Sequence, residues 1–179
     1  MRNGARCLAL LTIAAAAAWG SAALAGDHRL GLGVHYWRTL DQIRDDGVSG
    51  LGNIKDSGTS EVASYQYLPS QFLKYEVAVE FFDKGFGGAT SSAYSPQVYI
   101  LFGRGIYAGV GIGATMSSDF DNGVSKPFYA AKGGFELGLF PRLDLAIEAN
   151  YRVGAWKELE DKGVDTDTLT FGLILRVTL

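Results

Sequence analysis

The sequence predicts an all-β protein, an eight-stranded antiparallel up-and-down transmembrane β-barrel, on three observations. Hydrophobic side chains alternate with small or polar ones at period two in eight segments of about ten residues, the length a tilted strand needs to cross a bilayer. The connections alternate between long, Gly/Ser/Asp-rich stretches and tight turns. After Ala25 no run of apolar residues approaches the length of a membrane-spanning helix.

Each element follows from that alternation. Segment 28–39 sets Leu30, Leu32, Val34 and Tyr36 opposite Arg29, Gly31, Gly33, His35 and Trp37. Segment 61–68 has the weakest pattern, with Ala63, Tyr65 and Tyr67 on one face. In 72–82, Leu73, Tyr75, Val77, Val79 and Phe81 oppose Lys74, Glu76, Ala78 and Glu80. In 93–102, Tyr94, Val98, Ile100 and Phe102 oppose Ser95, Gln97 and Tyr99. Segment 105–116 reads GIYAGVGIGATM, with Ile106, Val110 and Ile112 against Tyr107 and a row of glycines. In 127–139, Tyr129, Ala131, Phe135, Leu137 and Leu139 oppose Phe128, Lys132, Gly134, Glu136 and Gly138. In 143–152, Leu143, Leu145, Ile147, Ala149 and Tyr151 oppose Asp144, Ala146, Glu148, Asn150 and Arg152. The last segment, LTFGLILRVTL, sets Leu169, Phe171, Leu173, Leu175, Val177 and Leu179 against Thr170, Gly172, Ile174, Arg176 and Thr178. The long connections near 40–60, 83–92, 117–126 and 153–166 fall at one end and the short turns PSQ, GR and FPR at the other, as in barrels with long extracellular loops and short periplasmic turns. Tyr36, Phe81, Tyr94, Tyr129 and Tyr151 fall at the long-loop end and Tyr67, Phe72, Phe102 and Phe140 at the turn end, the two aromatic belts of a barrel in lipid. A soluble lipocalin-type barrel is the structural rival; its exterior would be dense in Lys and Glu, whereas the non-oily faces here are mostly Gly, Ala, Ser and Thr.

The remaining features limit function. Met1 to Ala25 has a basic start (Arg2, Arg6), an alanine-rich apolar stretch and Ala23-Leu24-Ala25, the pattern of a cleaved signal peptide, so residues 1–25 are expected to be a signal peptide and 26–179 the barrel domain. The sole cysteine, Cys7, lies in that leader, leaving no thiol chemistry in the barrel. A formal net charge of −3 offers no basic patch, so no nucleic acid is expected as a partner. GVGIG lacks nucleotide-loop spacing, and DFDNG (Asp119 to Gly123) has Ala130 where a calcium loop closes with Glu. His28 and His35 have no metal-ligand spacing and no His-x-Ser partner, so neither a cofactor nor enzymatic activity, including lipid A modification, is expected.

Inside such a barrel the alternation places five cations (Arg29, Lys74, Lys132, Arg152, Arg176) and five carboxylates (Glu76, Glu80, Glu136, Asp144, Glu148). Eight strands leave an interior that side chains can just fill, so paired charges are expected to plug the lumen. Arg29, Lys74 and Arg152, near strand ends, are expected to be solvated, which leaves Glu76, Glu80, Lys132, Glu136, Glu148 and Arg176 as the inner charge set. Arginine at inward Ile174 is expected to be tolerated better than at lipid-facing Leu175.

Gly26 to Leu179 resembles the small eight-stranded bacterial outer-membrane β-barrel family (the OmpA/OmpX-like, porin-family barrel domain), and TDTLTFGLILRVTL resembles its closing strand. That resemblance implies a location in the Gram-negative outer membrane, with lipid and lipopolysaccharide around the barrel. It also implies recognition of the last strand, through Phe171, Leu173, Leu175, Val177 and Leu179, by the barrel-assembly machinery. Typical members end in Phe or Trp where this chain has Leu179. The expected function is a structural or surface-interaction role carried by the extracellular loops, with a narrow OmpW-like channel for small or hydrophobic molecules as the alternative.

Overall fold

The computed structural model describes residues 26–39, 57–83, 91–118, 124, 127–153 and 168–179. Eight strands, β1 (Asp27–Thr39), β2 (Ser57–Leu68), β3 (Leu73–Phe82), β4 (Ala93–Gly103), β5 (Ile106–Gly113), β6 (Phe128–Phe140), β7 (Leu143–Val153) and β8 (Thr168–Thr178), pair in sequence order. Every pairing is antiparallel, and β8 returns to β1 to close the barrel. Closure runs from Arg29 opposite Thr178 to Thr39 opposite Thr168, and the Leu179 N–H donates to the His28 carbonyl at 2.9 Å. Among the described residues no sheet edge is left open, which lipid requires because it offers backbone groups no hydrogen-bond partner.

Two strands differ from the sequence expectation. β2 begins at Ser57, four residues early, because Ser57, Gly58, Thr59 and Ser60 pair with β1 from Arg38 to His35. Backbone pairing at a barrel rim needs no apolar side chains. β5 ends at Gly113, short of Met116. Pro96 on β4 has no N–H to give, so the ladder thins to the Ala114 N–H donating to the Pro96 carbonyl at 3.2 Å and an isolated bridge between Tyr94 and Met116. The short end is tied by local chemistry: Ser70 Oγ accepts from the Leu73 N–H at 3.2 Å, and Gly103 takes φ +123° where a Cβ would strike the Ile106 carbonyl. Residues 1–25, read above as a leader, most of each long connection, and DFDNG lie outside the described residues.

The barrel is oily outside and charged inside. Outward side chains such as Leu32, Phe72, Phe102, Ile106, Val110 and Phe140 are exposed, while Arg176, Lys74, Glu76, Glu80 and Glu148 are 0–1% exposed. This inverts the arrangement of a soluble protein and overturns the lipocalin alternative, whose polar surface would face outward. Such an exterior is stable only against hydrocarbon. The aromatics fall in two belts at the strand ends, with Tyr65 and Tyr75 joining Tyr67 at the turn end. There His28 also faces outward, hydrogen-bonded to Tyr65 Oη at 2.6 Å and packed on the Tyr67 ring.

Candidate functional site: the barrel interior

The interior is built from inward positions of all eight strands. Its lower part, toward the short turns, centres on Arg176 of β8. The guanidinium reaches Glu76 of β3 at 3.1 Å and Glu136 of β6 at 3.4 Å, pairs with Glu148 of β7, and donates to Tyr107 Oη of β5 at 3.2 Å. Lys132 of β6 pairs with Glu76 and reaches Glu148 at 3.2 Å, with its ammonium 4.2 Å from the centre of the Tyr99 ring. Gln66 of β2 donates to Glu76 at 2.6 Å, and Tyr107 donates to Glu148. Charges of alternating sign brought this close in a low dielectric are stable only because each carboxylate accepts from several donors.

Glu136 extends the cluster downward. Lys74 pairs with it at 2.8 Å and donates to the Arg104 carbonyl at 3.2 Å, tying the charges to the β4–β5 turn. Arg29 pairs with Glu136 at 3.1 Å and with Asp144 at 3.7 Å. Four cations (Arg29, Lys74, Lys132, Arg176) thus meet four carboxylates (Glu76, Glu136, Asp144, Glu148), and the cluster is neutral as a unit.

Glu80 stands apart, toward the long loops. One oxygen accepts from His35 Nδ1–H at 3.1 Å and from Ser60; the other pairs with Arg152 and accepts from Gln97 at 3.3 Å. The Arg152 guanidinium lies 5.3 Å and 5.1 Å from the ring centres of Phe82 and Phe128, a cation held by two aromatic faces. Val62 of β2, Ala78 of β3, Ala146 of β7 and Ile174 of β8 pack as one buried apolar cluster beside these charges. Two glycines make room for large neighbours: a Cβ at Gly172 would strike the His35 ring, and one at Gly134 would come within 2.7 Å of Tyr107 Oη.

Of the six inner charges, the structure gathers Glu76, Lys132, Glu136, Glu148 and Arg176 into one cluster and puts Glu80 in a second. Lys74 and Arg152, expected to be solvated, are 1% and 4% exposed and paired, and Arg29 is largely covered. Strand tilt is the reason. An inward side chain near a strand end projects across the barrel beneath its neighbours, not out of the mouth. Residue alternation had placed all three inward, so that signal was present; proximity to the strand end misled. Partners without charge, Gln66, Tyr99, Tyr107 and Gln97, carry no sequence signal beyond their inward parity. On the outside, Phe171, Leu173, Leu175, Val177 and Leu179 form one exposed row along β8.

Solved structures share this architecture. Neisserial surface protein A superposes with a TM-score of 0.55 at 15% identity, over 86% of this chain and 97% of that one. The N-terminal β-barrel domain of Pseudomonas aeruginosa OprF gives a TM-score of 0.51 at 10% identity, over 87% of this chain and all of that domain. This chain has the fold of the small bacterial outer-membrane β-barrels. The location inferred from the closing strand, the outer membrane, agrees with this small outer-membrane barrel fold and with the oily exterior. No protein-family model matches the sequence, and no curated protein does. The likeness therefore extends to the barrel and not to any activity performed with it.

Proposed function

We propose that this chain is a non-enzymatic outer-membrane barrel whose lumen is closed and whose work is done at the cell surface by the segments that connect its strands at the long-loop end. The observation that supports this most is the interior itself. Ten charges of opposite sign engage one another, and the buried apolar side chains Val62, Ala78, Ala146 and Ile174 pack beside them, which leaves an ion no favourable path. Residues 1–25 serve as the cleaved leader, lipid and lipopolysaccharide surround the barrel, and the row from Phe171 to Leu179 is read by the assembly machinery. Proteoliposome swelling tests the closed lumen: uptake of small sugars no faster than into protein-free vesicles is expected, and rapid uptake would replace this reading with the narrow-channel one.

A further inference from the structure

The short turns carry charge of one sign. Two of the three repeat one tripeptide pattern, Phe102-Gly103-Arg104 between β4 and β5 and Phe140-Pro141-Arg142 between β6 and β7, and the third, Pro69 to Phe72, has no charged residue. Among the described residues the only carboxylate at this end outside the interior cluster is Asp27 of β1, opposite Leu68 of β2. Both arginines are exposed. Arg104 Nη1 donates to Gln71 Oε1 at 3.3 Å, and within the described residues the Arg142 side chain makes no hydrogen bond or ion pair. Their backbones are nonetheless held: the Arg104 carbonyl accepts from Lys74 at 3.2 Å, and the Arg142 carbonyl accepts from the Thr178 N–H at 2.9 Å. Arg142 also takes φ +69°, alone among the described non-glycine residues in having a positive φ. Glycine would hold that conformation without a Cβ penalty, so a guanidinium stands here against the preference of the turn. The apolar surface is most open at the same place. Ile106 at 81% and Phe140 at 70% are the most exposed large apolar side chains described, and β6 brings Leu137 and Leu139 between the two arginine turns.

We propose that these two turns bind the headgroup of an anionic phospholipid in the periplasmic leaflet. Short turns form the periplasmic end of a barrel of this kind. Each arginine follows a belt phenylalanine by two positions, so the ring sits in hydrocarbon while the guanidinium, carried out on its stem, lies at the level of the lipid phosphates. The turns are two strand spacings apart along the rim, roughly 10 Å, a width that two arginine stems span to meet one headgroup. A guanidinium offers a phosphate two parallel N–H donors. Ile106, Leu137 and Leu139 then receive the acyl chains below it. A zwitterionic headgroup would bring its ammonium into the same positive field, and an anionic one brings none, which sets the preference. Because Lys74 and Thr178 already fix the two turns, binding orders little beyond the arginine side chains. Such a site needs only the barrel's seat in a bilayer and is independent of whether the lumen conducts.

Fluorescence quenching by brominated lipids tests it on the refolded barrel. Phe140→Trp places a reporter beside Arg142, and the fluorescence it adds over the unsubstituted protein is followed in mixed vesicles in which either phosphatidylglycerol or phosphatidylcholine is the brominated lipid. The reporter should favour phosphatidylglycerol about fivefold at low salt, the effect of about 1 kcal/mol of headgroup attraction, and the preference should fade at high salt. Adding Arg104→Gln with Arg142→Gln should bring the preference close to one, whereas Arg38→Gln, at the long-loop end of β1, should leave it unchanged. Arg142→Gly separates the headgroup from the turn: it relieves the left-handed strain, so urea unfolding should show no loss of stability while the preference falls. Heat-modifiable gel migration identifies which variants are folded. Equal quenching by the two lipids in a folded reporter protein, a preference that survives the double substitution, or an equal loss in Arg38→Gln would overturn the proposal.

Discussion

Replacing Arg176 with methionine is the sharpest perturbation of the interior. Methionine keeps the length and apolar volume of the side chain and removes the charge, so the change leaves three carboxylates, Glu76, Glu136 and Glu148, each short of a donor. The neutral lower cluster gains one uncompensated negative charge in a site where Arg176 is 0% exposed. Breaking a buried pair on one side costs about 3–5 kcal/mol. The lower end applies here, because Lys132 remains at Glu76 and Glu148 while Arg29 and Lys74 remain at Glu136. The expected loss is therefore about 3 kcal/mol. It is measured as the shift in reversible urea unfolding in lipid vesicles, followed by tryptophan fluorescence at constant m-value. Adding Glu148→Gln restores neutrality and keeps an acceptor for Tyr107, so the double variant should recover at least about 1 kcal/mol of coupling. A change below about 0.5 kcal/mol in Arg176→Met, or a double variant equal to the sum of the singles, would refute the account of a neutral, mutually dependent cluster.

Four further outcomes follow from the same geometry. Lys132→Met should destabilise the barrel comparably, since Glu76 and Glu148 both lose their ammonium, and equilibrium unfolding checks it. Arginine at Leu175, lipid-facing on β8, should cost about 2–4 kcal/mol near mid-bilayer. The expected tolerance of arginine at Ile174 does not survive the structure, because that side chain is sealed among Val62, Ala78 and Ala146. The facing of β8 is instead read with alanine: Ile174→Ala should cost about 2–4 kcal/mol by opening a cavity, whereas Leu175→Ala exchanges one lipid contact for another and should stay near zero. Finally, Gly172→Val should abolish heat-modifiable folding by driving a side chain into the His35 ring, and Gly172→Val with His35→Ala should partly restore it.

Most of the barrel was legible in the sequence because side-chain period two and bilayer length act on each strand separately. Seven of the eight facing patterns, such as Leu143, Leu145, Ile147, Ala149 and Tyr151 outward on β7, need no knowledge of the neighbours. The departures occur where pairing, not patterning, sets the limit. Polar Ser57–Ser60 extend β2 because β1 is there to pair with them, and Pro96 shortens β5 from across the ladder. The inward charges were legible as a set, but not their partners. Arg176 and Glu76 are 100 positions apart, and Lys74 and Glu136 are 62 apart. Which side chains meet depends on how the strands are staggered when the barrel closes, a quantity that no single strand encodes. The division into two charge groups has the same origin, since Glu80 faces Arg152 only after closure.

Single-channel recording of the refolded wild-type barrel in a planar bilayer tests the central claim most directly. A lumen filled by ten engaged charges and the packed side chains of Val62, Ala78, Ala146 and Ile174 should give at most rare, small openings, with leak rising when Arg176 or Lys132 is replaced by methionine. Large, steady conductance from the unaltered protein would contradict the account.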